Sequence, residues 1–140
     1  MFIKQVSVFL ENTKGRLAEI TRLLADNNVD LKAMSIAETA DFGILRVIVE
    51  DPENAVAILK GKGFIASITD VVVVELNDRP GGFADVLEIL AKEGINVNYV
   101  YSTIHSKKDT AMIVLKVEEP GKVIDILGAN GVKLYKATEL

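Results

Sequence analysis

Cysteine is absent from this sequence of 140 residues, and histidine occurs only once. The lack of cysteine excludes disulfide bonds, thiolate metal sites and cysteine nucleophiles together. The N-terminal segment has neither the long apolar run nor the cleavage site of a signal peptide. No segment approaches the roughly 20 apolar residues that a membrane-spanning helix needs. We therefore expect a soluble, cytoplasmic protein without a membrane partner.

Basic residues are outnumbered by acidic ones. The sequence has 16 lysines and arginines against 20 aspartates and glutamates, which gives a net charge of −4. A nucleic-acid binder usually carries a basic patch or stripe, whereas the only adjacent basic pair here is Lys107 and Lys108. We expect no nucleic-acid partner. The hydrophobic share of 49% predicts a folded chain with a real core.

Groups that carry catalysis are also scarce. His105 has no nucleophile or orienting partner near it in the sequence, so we expect it at the surface. The segment Lys60–Phe64 lacks the residue spacing of a phosphate-binding loop. Calcium-loop spacing is missing from the scattered acidic residues Asp26, Asp30, Glu38 and Asp41. We expect no catalytic residue, no metal site and no cofactor.

An internal repeat organises the whole sequence. Residues 12–31 align with residues 78–97 at an offset of 66, so that Gly15 falls on Gly81 and Leu24 on Leu90. Residues 49–52 align with residues 117–120 at an offset of 68, so the second copy has two extra residues, expected near His105–Lys108. Two copies of this size predict a duplicated small domain, at 1–69 and 70–140, with no linker between the copies.

Hydrophobic periodicity predicts the same order of elements in both copies. In the first copy, helices are predicted at Arg16–Asn27 and from Pro52, and strands at Ile3–Leu10, Leu31–Glu38, Ile44–Glu50 and Phe64–Thr69. In the second, helices are predicted at Gly82–Glu93 and from Pro120, and strands at Val71–Leu76, Val97–Ile104, Ala111–Glu118 and Val132–Thr138. The order βαββαβ predicts an α+β, ferredoxin-like fold, with two helices on one face of an antiparallel sheet.

Several predicted strands are apolar on both faces, among them Val71–Val74 and Ala111–Val117. A sheet that is covered by helices on one face and by water on the other should alternate apolar and polar residues. We therefore expect the second face to be covered as well. A second copy of the chain, in a homodimer or larger assembly, would cover it, and so would sheet-on-sheet packing within one chain.

The connection from the first strand to the first helix of each copy is the main candidate for function. It runs from Glu11 to Leu17 and from Asn77 to Phe83. In both, an Asn or Asp stands three residues before a glycine, and a helix then begins with free N–H groups and the positive end of its dipole. Such a helix end accepts a carboxylate or a phosphate. The alternative interpretation is an ordinary turn with a helix cap.

The pattern of these turns resembles that of the ACT domain. The matching residues of the second copy are Asp78, Pro80, Gly81 and Phe83, followed by Gly94, Ile95, Asn96 and Val97 at the next strand. Those of the first copy are Asn12, Gly15 and Leu17, followed by Asn28, Val29, Asp30 and Leu31. The resemblance covers nearly the whole chain, once in each copy.

The resemblance implies a function and a set of site residues. ACT domains are regulatory modules that bind amino acids or other small effectors, and they commonly pair side by side with the ligand at their interface. The motif positions imply ligand-binding roles for Asn12, Gly15, Arg16, Leu17, Asp30, Asp78, Gly81, Gly82, Phe83 and Asn96. The first copy departs from the pattern at Lys14, where the motif prefers proline, and at Asp30, which matches Asn96, so the two sites need not be equivalent.

We therefore expect a non-catalytic regulatory protein that binds a free amino acid at the interface of its two ACT-like units. Its output would pass to a partner protein, such as a regulated enzyme, or through its own assembly state. Two alternatives stay open. One is a scaffold that no longer binds a ligand, and the other is a small enzyme on the same fold.

Overall fold

The chain folds as two βαββαβ-like units. In the computed structural model, which describes residues 2–140, Lys4–Thr69 form the N-terminal unit, and Asp70–Leu140 with Phe2 and Ile3 form the C-terminal unit. The first unit contains β1 (Ile3–Glu11) except for Ile3, α1 (Arg16–Asp26), β2 (Ala33–Glu38), β3 (Phe42–Ile48), α2 (Pro52–Gly61) and the beginning of β4 (Ile65–Asn77). The second contains the rest of β4, α3 (Gly82–Lys92), β5 (Val97–Ser102), β6 (Thr110–Val117), α4 (Pro120–Ala129) and a 3-10 helix (Ala137–Glu139).

Each unit has a sheet with the ferredoxin-like strand order. In the N-terminal unit the order is β2-β3-β1-β4, and β3 is antiparallel to both of its neighbours. The hydroxyl groups of Ser7 and Thr69 lie 3.2 Å apart and link β1 to β4. In the C-terminal unit the order is β4-β6-β5, again antiparallel. The predicted antiparallel, ferredoxin-like arrangement of strands and helices is confirmed.

The two hydrophobic cores use equivalent positions of the repeat. In the N-terminal unit, Val6 and Val8 of β1 are fully buried with Ile20 and Leu24 of α1. At the offset of 66, the C-terminal core contains Val72, Val74, Val86 and Leu90. Alternate residues of a strand point to the same face, and helix residues four apart share one side. The repeated sequence pattern therefore places the first helix of each unit on its sheet in the same way.

Two predicted strands merge into one. The sequence predicts separate strands at Phe64–Thr69 and Val71–Leu76, but the structure has a single strand, β4, from Ile65 to Asn77. No glycine or proline interrupts the chain between Gly63 and Pro80. Since nothing there favours a turn, the extended backbone continues from one unit into the next.

The predicted final strand, Val132–Thr138, is wrong. Only Leu134 pairs with β4, in an isolated antiparallel bridge to Val74. The backbone N–H of Lys136 donates to the Glu139 carboxylate at 2.9 Å instead of to a strand partner. This bond closes the 3-10 helix, so the chain turns at residues that the sequence predicts to be extended.

The extra residues of the second copy lie where the repeat predicts them. Thr39–Asp41 connect β2 to β3, whereas the longer segment 103–109 connects β5 to β6. His105 lies in this longer connection and is exposed, as expected. Asp109 ends the connection in the left-handed region, at φ 62°.

Apolar side chains remain exposed on the N-terminal sheet. Phe9 of β1 and Phe42 of β3 have their ring centroids 5.3 Å apart and are 40% and 43% exposed. Ile44 is paired with Phe9 across the strands and therefore shares its face. Because Phe9 alternates with the buried Val8 and Leu10, this face is the one turned away from the helices.

The hydrogen bond of Tyr135 tests whether the C-terminal segment packs against β4 as described. Its phenol donates to Glu75 Oε1 at 2.5 Å, and this bond, with burial, raises the pKa of Tyr135 to about 12. Because a tyrosine in the unfolded chain titrates near 10, the bond contributes its full stabilisation below about pH 10 and loses it as the pH rises toward about 12. We expect Tyr135→Phe to lower the free energy of unfolding by about 1.5–3 kcal/mol at pH 7, the usual range for a bond to a charged group.

Urea unfolding of both proteins from pH 7 to pH 12 measures this difference. The difference between wild type and Tyr135→Phe should shrink above about pH 10. A difference that stayed constant to pH 12 would show that the bond is not formed.

Candidate functional site

The two strand-to-helix turns have nearly the same backbone conformation. Gly15 lies at φ 86° and ψ −7°, and Gly81 at φ 87° and ψ −8°, each directly before its helix. This is the left-handed region, which a residue with a side chain adopts only at a cost. The repeat therefore extends to the conformation of the turn itself.

Hydrogen bonding in the two turns is also the same. In the N-terminal turn, the N–H of Thr13 donates to the Glu11 carbonyl at 2.8 Å, and the N–H of Arg16 donates to the Thr13 carbonyl at 3.3 Å. The C-terminal turn makes both equivalent bonds, at 2.9 and 3.0 Å. The strand thus reverses into the helix through the same pair of backbone bonds in each unit.

Both helices begin without a side-chain cap. The N–H groups of Glu19 and Asp85 make the first full helical bonds, to the carbonyls of the two turn glycines. Within residues 2–140, no acceptor is found for the two N–H groups that precede each of them, which belong to Leu17, Ala18, Phe83 and Ala84. These groups lie at the positive end of a helix dipole, where an anionic group binds most favourably.

Asn12 and Asp78 open the turns but do not cap the helices. The backbone N–H of Asn12 donates to the Asp41 carbonyl at 2.9 Å, and its side-chain amide donates to the Ala40 carbonyl at 3.2 Å. The N–H of Asp78 donates to the Asp109 carbonyl at 3.0 Å. Both residues therefore tie the turn to the neighbouring hairpin, and the interpretation of them as ordinary side-chain caps is wrong. The Asp78 carboxylate is exposed to solvent.

Asp30 and Asn96 lie at the opposite end of their sheets from the turns. In the N-terminal unit, β1 ends opposite Phe42, whereas β2 begins opposite Ile48. Six residues of β3 separate these positions, or about 20 Å at the usual rise of a strand. In the C-terminal unit the corresponding separation is seven residues of β6, or about 24 Å. A single amino acid is too short to contact both ends within one unit.

A cavity of about 220 Å³ opens beside the N-terminal turn. It is lined by Leu10, Glu11, Asn12, Thr13, Leu17, Ile36, Glu38 and Gly43. The apolar side chains of Leu17 and Ile36 therefore share it with two carboxylates, those of Glu11 and Glu38. Of these residues, the motif predicts Asn12 and Leu17, but nothing in the motif points to Ile36 and Glu38 of β2. Their strand register could have found them, because Glu38 and Leu10 both lie opposite Gly43.

A second cavity lies on the other side of the C-terminal turn, and it has a counterpart in the N-terminal unit. The cavity beside Gly82 measures about 320 Å³, whereas the equivalent cavity beside Arg16 measures only about 100 Å³. The Arg16 guanidinium lies 4.9 Å from the centroid of the Phe64 ring in the N-terminal unit. The repeat replaces these two residues with Gly82 and Val132. On the other side of the Arg16–Phe64 pair the N-terminal unit has a separate cavity of about 340 Å³, so the two larger side chains divide a space that is one cavity in the C-terminal unit.

The described residues offer neither a metal site nor a membrane-spanning helix. Within residues 2–140, no three His, Asp or Glu side chains come together in a way that would hold a metal ion. None of the helices in that range is both long enough and apolar enough to cross a bilayer.

Comparison with known proteins gives a family match over the whole sequence. The family model described as an ACT domain pair matches residues 1–140. A solved structure of a protein from Bacteroides thetaiotaomicron is 43% identical, with a TM-score of 0.92, over 99% of this chain and 94% of that one. A search of curated proteins found no match.

Two more distant structures share the fold. The regulatory subunit of aspartate kinase from Thermus thermophilus, in its ligand-free form, is 13% identical with a TM-score of 0.67, over 90% of this chain and 91% of that one. Aspartate kinase from Clostridium acetobutylicum is 13% identical with a TM-score of 0.54, over 90% of this chain and 32% of that one. At this identity the two comparisons establish the fold and nothing more.

Two glycine substitutions test the tight approach within the C-terminal turn. A Cβ atom on Gly82 would overlap the Asn77 carbonyl oxygen, whereas a Cβ atom on Gly128, inside α4, would meet no atom within 4 Å. We expect Gly82→Ala to lower the free energy of unfolding by about 1–3 kcal/mol and Gly128→Ala to raise it by about 0.5–1 kcal/mol. Urea unfolding at pH 7 measures both. Effects of the same sign would contradict the close packing at Gly82.

Proposed function

The chain belongs to the ACT domain pair family, and from this we propose that it is a non-catalytic regulatory protein that senses a free amino acid. The family supplies the regulatory fold. We infer the amino-acid ligand from the geometry of the turns. We infer that the chain is not a catalyst because a structural neighbour is a regulatory subunit. A regulated enzyme is the proposed partner, since the neighbour from Thermus thermophilus is itself a regulatory subunit of an enzyme.

The observation that carries the proposal is the pair of uncapped helix ends. A ligand α-carboxylate would accept hydrogen bonds from the free N–H groups of Leu17 and Ala18, or of Phe83 and Ala84. Each such charge-assisted bond contributes about 1.5–3 kcal/mol, so two of them with an ammonium contact support an affinity in the micromolar range.

The ligand ammonium also has partners beside each turn. In the C-terminal unit it would meet the exposed carboxylate of Asp78. In the N-terminal unit, the cavity beside the turn offers the carboxylates of Glu11 and Glu38. Leu17 and Ile36 line the same cavity and would contact an apolar part of the ligand. The two turns thus present the same anion site with different surroundings, which favours unequal affinities.

Asp30 and Asn96 lie too far from the turns to bind the same ligand within one unit. Because each lies about 20 Å or more from the turn of its own unit, it would contact a ligand held at a turn only if a second unit or a second copy contributed it. The location of the ligand at an interface stays a prediction, as do the domain boundaries at residues 69 and 70 and the cytoplasmic location.

We further propose that the chain forms a homodimer through the exposed face of the N-terminal sheet. Phe9, Phe42 and Ile44 are each at least 36% exposed on that face, and their contact with water is costly. A second copy would present the same apolar side chains, as a two-fold interface requires. The assembly state would then offer one route by which ligand binding is transmitted.

Calorimetric titration with each of the twenty amino acids tests the sensing function. We expect one amino acid, or a closely related group, to bind. Gly15→Ala and Gly81→Ala should each weaken binding at one turn, because a Cβ atom is added where the ligand approaches and the left-handed backbone is strained. The number of ligands bound per chain would show whether both turns are occupied.

Two other glycines provide matched controls. Gly63 and Gly94 have the same left-handed conformation, at φ 84° and 71°, but lie after helices instead of before them. Gly63→Ala and Gly94→Ala should cost similar stability and leave affinity unchanged. A blank across all twenty amino acids would overturn the sensing function in favour of a scaffold. Turnover that persists in the two turn variants would favour an enzyme.

The proposed dimer is tested by light scattering after size-exclusion chromatography. Phe42→Glu should convert the dimer to a monomer with unchanged circular dichroism, because a charge cannot be buried unpaired at an apolar interface. Ile104→Glu is the control, since Ile104 is also about half exposed (49%) but lies in the connection between β5 and β6. A wild-type monomer at high concentration would contradict this interface.

A further inference from the structure

The side chain of Arg79 lies across the C-terminal turn. Its Nη1 donates to the Pro80 carbonyl at 3.1 Å, and its Nη2 donates to Asp85 Oδ2 at 2.7 Å. Nη1 also lies 3.5 Å from the position that a Cβ atom on Gly81 would occupy. The guanidinium therefore lies at the face of the turn glycine from which the proposed ligand approaches.

The N-terminal turn has no such group. At the offset of 66, Thr13 takes the position of Arg79, and a Cβ atom on Gly15 would meet no atom within 4 Å. Arg16 follows that glycine, but its guanidinium lies 4.9 Å from the centroid of the Phe64 ring. A guanidinium at the turn glycine is thus a property of the C-terminal unit and not of the repeat.

The backbone of Arg79 is fixed on both sides, whereas its side chain is free to move. Its N–H donates to the Asn77 carbonyl at 2.9 Å, and its carbonyl accepts from the N–H of Gly82 at 3.0 Å. Pro80, the next residue, further restricts the backbone conformations that Arg79 can adopt. The side chain itself is 54% exposed. The guanidinium can therefore change its partner without a change in the turn.

Asp85 holds the guanidinium only weakly. Its side chain is 57% exposed, and an ion pair between exposed side chains changes an equilibrium by at most about fivefold. A charge-assisted hydrogen bond to a ligand contributes a factor of about ten or more. Because the ligand carboxylate offers the stronger bond, the pair with Asp85 cannot keep it out.

Asp85 also tolerates the loss of its partner. Within residues 2–140, Arg79 is the only group that donates to its carboxylate. Asp85 lies in the first turn of α3, where the positive end of the helix dipole favours an acidic side chain even without a partner. Little therefore opposes the transfer of the guanidinium from Asp85 to a ligand.

We propose that Arg79 binds the ligand carboxylate at the C-terminal turn and exchanges Asp85 for it. The guanidinium then holds the same carboxylate as the N–H groups of Phe83 and Ala84. The inference rests on the proposed function in one respect, that a free amino acid binds at the turn. It adds a binding residue at the variable position of the turn motif, between Asp78 and Pro80, and a physical reason for unequal affinity of the two turns.

Calorimetry on the full chain carrying Gly15→Ala tests the carboxylate requirement, because this variant weakens the N-terminal turn and leaves the C-terminal one to be measured. The probes are the twenty amino acids, together with the amide of each one that binds. An amide keeps the ammonium and the side chain but lacks the negative charge of the carboxylate. We expect the amide to bind at least about tenfold more weakly. Equal binding of acid and amide would overturn the proposal.

Two substitutions in the same background should act in opposite directions. Arg79→Thr introduces the residue of the N-terminal turn and should weaken binding about tenfold or more. Asp85→Asn removes the competing partner and should strengthen binding by up to about fivefold. If both weakened binding, the pair would only shape the turn. If both strengthened it, the pair would block the ligand. Either result would overturn the proposal.

A double variant tests whether Asp85 acts through Arg79. Asp85→Asn should have no effect once Arg79→Thr is present, because the guanidinium that it releases is gone. A gain that persisted would show that Asp85 repels the ligand directly, which would contradict the exchange of partners. Arg22→Thr is the matched control, since Arg22 forms an exposed pair with Asp26 on α1 at 3.8 Å. It should leave the affinity unchanged.

The outcomes separate this inference from the proposed function. An amino acid whose binding is sensitive to Gly81→Ala but not to Arg79→Thr would uphold the proposed function and overturn the role of Arg79. Binding that disappears completely with Gly15→Ala would do the same, because the C-terminal turn would then be empty. No binding of any amino acid to the wild-type chain would overturn both.

Discussion

A glycine in the left-handed conformation lets each first strand turn directly into its helix, and the rest of each unit depends on that turn. With φ near 86° at Gly15 and Gly81, the helix begins immediately and returns over the sheet. Ile20 and Leu24 then reach Val6 and Val8 in the core. The same glycine leaves the first N–H groups of the helix open, because no side chain stands there to cap them. Core packing and the candidate anion site are thus two consequences of one backbone conformation.

Much of this fold could be predicted from the sequence, because its signals are local and occur twice. The helices were bounded to within a residue or two, and the glycine turns were identified from the spacing of Asn12 to Gly15 and of Asp78 to Gly81. The final strand, Val132–Thr138, was not predictable in this way. Its apolar alternation favours a strand, but a single bond from the Lys136 N–H to Glu139 ends the pairing. The hydrophobic periodicity of a sequence does not reveal a polar contact of this kind.

The candidate site was predicted in its turns but not in its surroundings. Asp30 and Asn96 entered through a family motif, and the strand order shows that they lie at the far end of the sheet from their own turns. That separation follows from topology, since β1 and β2 run in the same direction on either side of β3. The cavity beside Gly82 depends instead on residues 50 positions apart, Gly82 and Val132. Only comparison of the two units shows that both differ from their counterparts, Arg16 and Phe64.

The energetic cost of leaving the helix ends uncapped is small enough for both units to bear it. Replacing a capping side chain with glycine costs a helix only a few tenths of a kilocalorie per mole, against a folding stability of roughly 5–15 kcal/mol. A bound carboxylate would restore the missing hydrogen bonds, and each is worth about 1.5–3 kcal/mol when charge-assisted. The gain on binding therefore exceeds the cost of keeping the site open. The two units can then differ around the same candidate anion site, as they do at Arg16 and Gly82, without a change in the fold that presents it.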